Sequence, residues 1–117
     1  MRDSFSYVLL LDIYGELLSK GQREVLDMRY NSDMSLSEIA QELGGVTRQS
    51  VSCSMKNGEQ RLEELEALLG FAARLRKISG ELDRAEDILA QLSHKAGGCG
   101  EQISVLGDLL KHIRSEL

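Results

Sequence analysis

The stretch Ser35–Asn57, SLSEIAQELGGVTRQSVSCSMKN, constrains the fold more than any other part of the chain. Ser35 is followed three residues later by Glu38, and Leu36, Ile39, Ala40 and Leu43 fall at helical spacing. A serine oxygen there accepts from a free N–H of the first turn, and the glutamate reaches back to the serine N–H. Gly44 and Gly45 then end the helix, because glycine takes the positive-φ conformation without steric cost. Thr47 is a second N-cap, and Val51 and Met55 behind it form an i, i+4 apolar pair. A capped helix, a glycine turn and a second capped helix make a helix-turn-helix, the arrangement that sets a recognition helix in a major groove. Two short helices meeting at a glycine turn in an ordinary all-α protein account for the same apolar residues.

The flanking sequence extends this pattern. Residues 4–18 carry Tyr7, Leu10, Leu11, Tyr14, Leu17 and Leu18 on one broad face, with Ser4 or Ser6 as cap. Ser19 and Gln22 make a further Ser-x-x-Gln start, followed by Val25, Leu26, Met28 and Tyr30. Residues 31–34 read as a turn. Beyond Met55 the apolar positions continue through Leu62, Leu65, Leu68 and Leu69, so the recognition helix runs on despite Gly58, which costs it roughly 1 kcal/mol relative to alanine. Gly70 marks its end or a kink.

Residues 71–117 read as a helical hairpin. Leu75, Ile78, Leu82, Ala85, Leu89 and Leu92 step by three and four, a heptad-like seam. The run Ala96-Gly-Gly-Cys-Gly100 breaks it, and Ile103, Leu106, Leu110, Ile113 and Leu117 mark a last helix from Glu101. The first arm, about 25 residues, spans roughly 37 Å and the second, about 17, roughly 25 Å. The unmatched seam packs on the N-terminal domain, on a second copy or on a partner, since an exposed apolar stripe is costly. The expected architecture is all-α: a helix-turn-helix domain at residues 1–70 and a hairpin extension at 71–117 that serves as a dimerisation element. The absence of proline supports it.

Charge complicates the use of the motif. Residues 1–70 hold 7 basic and 12 acidic residues, a net of −5, while residues 71–117 hold 7 of each. The helix-turn-helix half is thus the acidic half, whereas nucleic-acid domains draw affinity from a basic face. A local patch survives in Arg48, Lys56 and Arg61 against Glu59. With Val51 and Met55 facing the core, Arg48, Gln49, Ser52 and Lys56 lie outward, spaced to reach a groove. Arginine and glutamine read guanine and adenine edges, and serine reaches a phosphate or a base edge. An ordinary solvated face explains each of these residues singly.

Other chemistries find little support. His94 and His112 stand apart, and a Cys99–His94 pairing lacks a third group at fixed spacing. The glycine run lacks the Lys-Ser/Thr of a phosphate loop. No acidic pair suggests acid/base work or a metal site, so neither catalysis nor a cofactor is expected. Cys53 and Cys99, 46 positions apart and outside any CxxC, read as free thiols in a reducing cytoplasm. No segment has the ~18 apolar residues of a membrane span, and Asp12 interrupts the apolar run Tyr7–Leu11 too early for a signal peptide.

Four segments taken together resemble the YlxM-type helix-turn-helix proteins. They are Asp12-Ile-Tyr-Gly-Glu-Leu-Leu-Ser, Gln22-Arg-Glu, Asp33-Met-Ser-Leu-Ser-Glu-Ile-Ala-Gln-Glu-Leu and Thr47-Arg-Gln-Ser-Val, within roughly residues 8–69. These small bacterial proteins are similar in shape to region 4 of sigma factors. The resemblance implies a non-enzymatic, cytoplasmic and dimeric protein. It also implies an accessory or regulatory role in the signal recognition particle pathway, with that particle's protein or RNA components as partners. The alternative reading is a DNA-binding transcriptional regulator. Two departures from the family pattern bear on the choice: the Gly44–Gly45 turn is one residue longer, and Ser-Met-Lys-Asn stands where the family carries a more basic stretch.

Overall fold

The computed structural model describes residues 4–95 and 100–117. Helix α1 (Ser4–Tyr14) tightens into a 3-10 turn at Gly15–Leu17. Then come α2 (Lys20–Tyr30), α3 (Leu36–Glu42), α4 (Arg48–Leu69), α5 (Phe71–Lys95) and α6 (Gly100–Ser115). Every regular element among the described residues is helical, as the periodicity demands. The chain divides into two compact units, Met1–Ala72 and Ala73–Leu117.

The first helix stops four residues earlier than its apolar pattern suggests. Ser19 caps α2 in extended conformation, φ −62° and ψ 155°, its hydroxyl accepting from the Gln22 N–H at 3.2 Å. The chain must therefore leave helical geometry before Ser19, and Leu18 is already extended. The expected caps at Ser4 and Ser6 lie outside the described side chains.

Two apolar clusters hold the first unit. One joins Leu10, Leu11, Tyr14 and Leu18 to Leu26 of α2, to Leu62 and Leu65 of α4, and to Ala72. The other joins Val25, Ile39, Ala40 and Val51, and so fixes the helix-turn-helix. Met55 packs against both. Each fully buried large side chain contributes about 1.5–3 kcal/mol.

Gly58 sits where α2 and α4 touch. A Cβ added there would lie 2.7 Å from Leu26 Cδ1 and 3.4 Å from Gln22 Cβ. Leu26 is fully buried, so a shift of its side chain must be taken up by the surrounding core. The residue that weakens α4 in isolation is thus the one that lets α2 lie against it.

Three glutamates of α4 carry a second set of ties. Glu59, Glu63 and Glu66 share one flank of the helix and accept hydrogen bonds from tyrosine hydroxyls of α1 and α2. Tyr7 donates to Glu63 at 2.8 Å, Tyr14 to Glu66 at 2.6 Å, and Tyr30 to Glu59. Tyr7 and Tyr30 also pack ring on ring, with centroids 5.5 Å apart. Burial, followed by the hydrogen bond to Glu66, pushes the Tyr14 hydroxyl above its usual pKa of 10.0. Tyr30 is raised by burial and then by Glu59.

The Tyr14–Glu66 pair also solves a capping problem. Helix α5 starts directly after Gly70, the left-handed C-cap of α4, so no residue is left over to cap it. The Phe71 N–H donates to the Tyr14 hydroxyl at 3.2 Å and the Ala72 N–H donates to Glu66 Oε1 at 2.9 Å. Two of the orphan N–H groups of a helix start are thereby satisfied from outside that helix.

Within residues 73–117 the inward row of α6 is not the one its leucines suggest. Ile103, Gly107, Leu110 and Arg114 are half-buried, while Val105, Leu106, Leu109, Ile113 and Leu117 stay exposed. Leu106, Ile113 and Leu117, which the spacing groups with Ile103 and Leu110, therefore lie off it. The physical reason is Gly107: a Cβ there would lie 3.3 Å from Leu89 Cδ2, so α6 turns its smallest residue toward α5. The Ala96–Cys99 part of the glycine run lies outside the described residues.

Two substitutions test these contacts. Gly58→Ala should lower stability by about 1–3 kcal/mol in urea denaturation, the cost of overpacking; a gain of up to about 1 kcal/mol, as helix propensity alone dictates, would show that the contact with Leu26 relaxes freely. Tyr14→Phe should cost about 1–3 kcal/mol by the same measurement, because Glu66 and the Phe71 N–H lose a partner.

Candidate nucleic-acid interface

The helix-turn-helix is built by its caps. Ser35 Oγ accepts from the Glu38 N–H at 3.1 Å, and Glu38 Oε1 accepts from the Ser35 N–H at 3.1 Å, a complete capping box. At the other end of α3 the Gly45 N–H donates to the Ala40 carbonyl and the Gly44 N–H to the Gln41 carbonyl, both at 3.1 Å. With Leu43 as C-cap, this crossed pair is a Schellman motif. Gly44 and Gly45 have φ of 86° and 90°. The second glycine is therefore part of the stop, not slack in the turn. Thr47 then caps α4, its hydroxyl accepting from the Ser50 N–H at 3.0 Å.

Val51 is buried against Val25, Ile39 and Ala40, which fixes the rotation of α4. Arg48, Gln49 and Lys56 are exposed and Ser52 is half-buried. At about 100° per residue these four positions fall within a single arc of roughly 100°. Ser52, in the middle of the arc, is the least exposed of the four. Neither Arg48 nor Lys56 takes part in an ion pair among the described residues.

The arc is short of charge beyond Lys56. Glu59 and Glu63, one and two turns on, take the same flank and are tied to Tyr30 and Tyr7. The remaining cation of the patch, Arg61, is turned to Glu64 at 3.6 Å. The cationic surface of α4 thus consists of Arg48 and Lys56, with Gln49 and Ser52 between them. Cys53, which residue reasoning left without a role, lies exposed beside this arc as a free thiol, 3.9 Å from the Asn57 amide. Its Ser-Cys-Ser setting gave no signal of that position; only the rotation set by Val51 does.

No group of three His, Cys, Asp or Glu residues that could hold a metal occurs among the described residues. A groove of about 360 Å³ between α1 and α2, lined by Leu11, Asp12, Arg23 and Asp27 among others, gathers no nucleophile and base. Cys99, half of the only nucleophile-like pairing in the sequence, lies outside the described residues. No helix among them is long and apolar enough to cross a membrane.

The Glu38 carboxylate is held below its usual pKa of 4.5, first by the Ser35 N–H and then by the Ser35 hydroxyl. A lowered folded pKa means that the unfolded chain takes up the proton first as pH falls. The Glu38 contribution is therefore complete above about pH 4.5 and lost as pH drops through the lower folded value. Thermal melts of wild type and Glu38→Gln should differ at pH 7, and the difference should shrink as pH falls from about 4.5. A difference in Tm that stays constant from pH 7 to pH 2 would overturn this account.

The fold and the arc can now be set beside known proteins. The family described as "Putative helix-turn-helix protein, YlxM / p13 like" matches residues 1–97. A UPF0122 protein of Acetivibrio thermocellus is 40% identical over 88 residues, which cover 75% of this chain and 72% of that one. One from a Thermoanaerobacter species is 42% identical over 85 residues, 72% of each chain. One from Desulforamulus reducens is 32% identical over 113 residues, covering 97% of this chain and 94% of its own. The likeness is therefore longer than the stretch 8–69 that carries the motifs and runs through α5. This chain belongs to the YlxM/p13-like helix-turn-helix family.

Proposed function

We propose that this protein is a non-enzymatic accessory factor of the signal recognition particle pathway, the role its YlxM-type character implies. In this reading the exposed end of α4 docks on a protein or RNA component of the particle. The observation that carries it is the make-up of the α4 arc. Arg48 and Lys56 are its only cations, and the tyrosine-tied carboxylates Glu59 and Glu63 close it off two turns later. Such a surface supports a partner contacted over a small mixed patch better than a duplex gripped along its phosphates. The protein works in the cytoplasm and pairs with a second copy through the exposed apolar residues of 73–117.

A second reading, a DNA-binding regulator, draws support from the shared arc of Arg48, Gln49, Ser52 and Lys56 behind a capped helix start. It carries a quantitative limit. Two phosphate contacts per chain give a slope of log affinity against log salt of about −1.8.

Immobilised protein should retain the particle's GTPases, its receptor or its RNA from purified mixtures, and Arg48→Ala should weaken that retention about tenfold. Retention of none of the three would remove the pathway reading. Duplex DNA bound with a salt slope near about −1.8 per chain, and weakened by Arg48→Ala, would favour the regulator instead.

A further inference from the structure

Helix α6 lies on α5 without burying any side chain of its own. Its inward row, Ile103, Gly107, Leu110 and Arg114, is only half-covered. The Leu89 side chain reaches over Gly107, where an added Cβ would stand 3.3 Å from Leu89 Cδ2. Beside that point runs a groove of about 250 Å³ between Leu89 and Ala90 on one side and Ile103 and Lys111 on the other. Contacts this sparse are what marks an element with a low opening free energy.

The firmest fastening is polar. Arg114 donates to Asp83 Oδ1 at 2.7 Å, to Ser79 Oγ at 3.4 Å, and to Glu86 Oε1 through Nε at 3.1 Å and again through a terminal nitrogen. The Arg114 side chain is 37% exposed and that of Asp83 70%. Ion pairs so open to water are weak and are screened by salt. Nor can α6 rely on itself, since most helical stability in proteins comes from packing of an apolar face, and α6 buries none of its side chains.

We propose that α6 is a releasable strap, held on α5 by the Arg114 cluster and opened when that cluster is screened or removed. Release frees Leu89 and Ile103, which line the groove between the two helices. Leu89 lies on the same α5 stripe as Leu82, the one large apolar side chain buried among the described residues of 73–117. Leu75, Leu82 and Leu89 repeat every seven residues, so the opened α5 presents the kind of stripe on which a second helix packs. The strap is a property of residues 73–117 alone and stands apart from the pathway reading.

Amide hydrogen exchange of the intact chain, read by mass spectrometry, tests it. Peptides covering 103–115 should exchange at least tenfold faster than those covering 55–66. Both 1 M salt and Arg114→Gln should speed the first set about tenfold more and leave the second unchanged. Glu86→Gln, which removes the partner instead of the arginine, should do the same. The measurement is repeated at tenfold lower protein concentration, because pairing of copies slows α6 exchange only as concentration rises. Equal protection of the two segments at both concentrations would overturn the proposal, as would α6 exchange that neither salt nor either substitution changes.

Discussion

Helix α4 packs as it does because α2 reaches its backbone at Gly58. The contact brings Leu26 against a surface where a Cβ would stand 2.7 Å away. From that point the rest of the first unit follows in both directions. Toward the N-terminus of α4, Val51 meets Val25, Ile39 and Ala40, and the recognition end of the helix is locked in rotation. Toward its C-terminus, Leu62 and Leu65 close over Leu10, Leu11 and Tyr14. One missing methyl group thus couples the α1–α2 layer to the helix-turn-helix.

The acidic balance of the first 70 residues takes on a different meaning once the tyrosines are placed. Three of the carboxylates are tied by tyrosine hydroxyls, one of them buried. Glu59, Glu63 and Glu66 accept from Tyr30, Tyr7 and Tyr14, and Glu66 goes on to cap the start of α5. Glu38 is spent in the capping box of α3. Part of the charge that argues against a phosphate-gripping surface is therefore structural. The part that bears on recognition is local: a ladder of tied glutamates limits the free cationic surface of α4 to its first three turns.

The hairpin shows how one glycine redirects a helix. On α6 the leucine and isoleucine spacing admits more than one apolar face, and the position of closest approach decides between them. Gly107 lets α6 come near Leu89, so the row that includes Gly107 and Arg114 turns inward. The leucines of the other row remain outside, next to a hairpin whose strongest link is a half-buried arginine paired with an exposed aspartate.

The sequence by itself determined the helices, their starts and the helix-turn-helix. Ser19, Ser35 and Thr47 cap where the motifs place them, and Gly44, Gly45 and Gly70 stop helices through backbone conformation. Caps and stops involve groups three to five residues apart, so the information is complete within a short window. It also brought Arg48, Gln49, Ser52 and Lys56 onto one arc, since a buried Val51 and the helical period are enough to orient them. Only the tertiary structure decided the roles of Gly58 and Gly107, the tyrosine–glutamate ladder and the Arg114 cluster. Each depends on residues 18 to 56 positions apart, or on which of two apolar faces meets a neighbour. Spacing along a chain carries no record of either until the helices are packed.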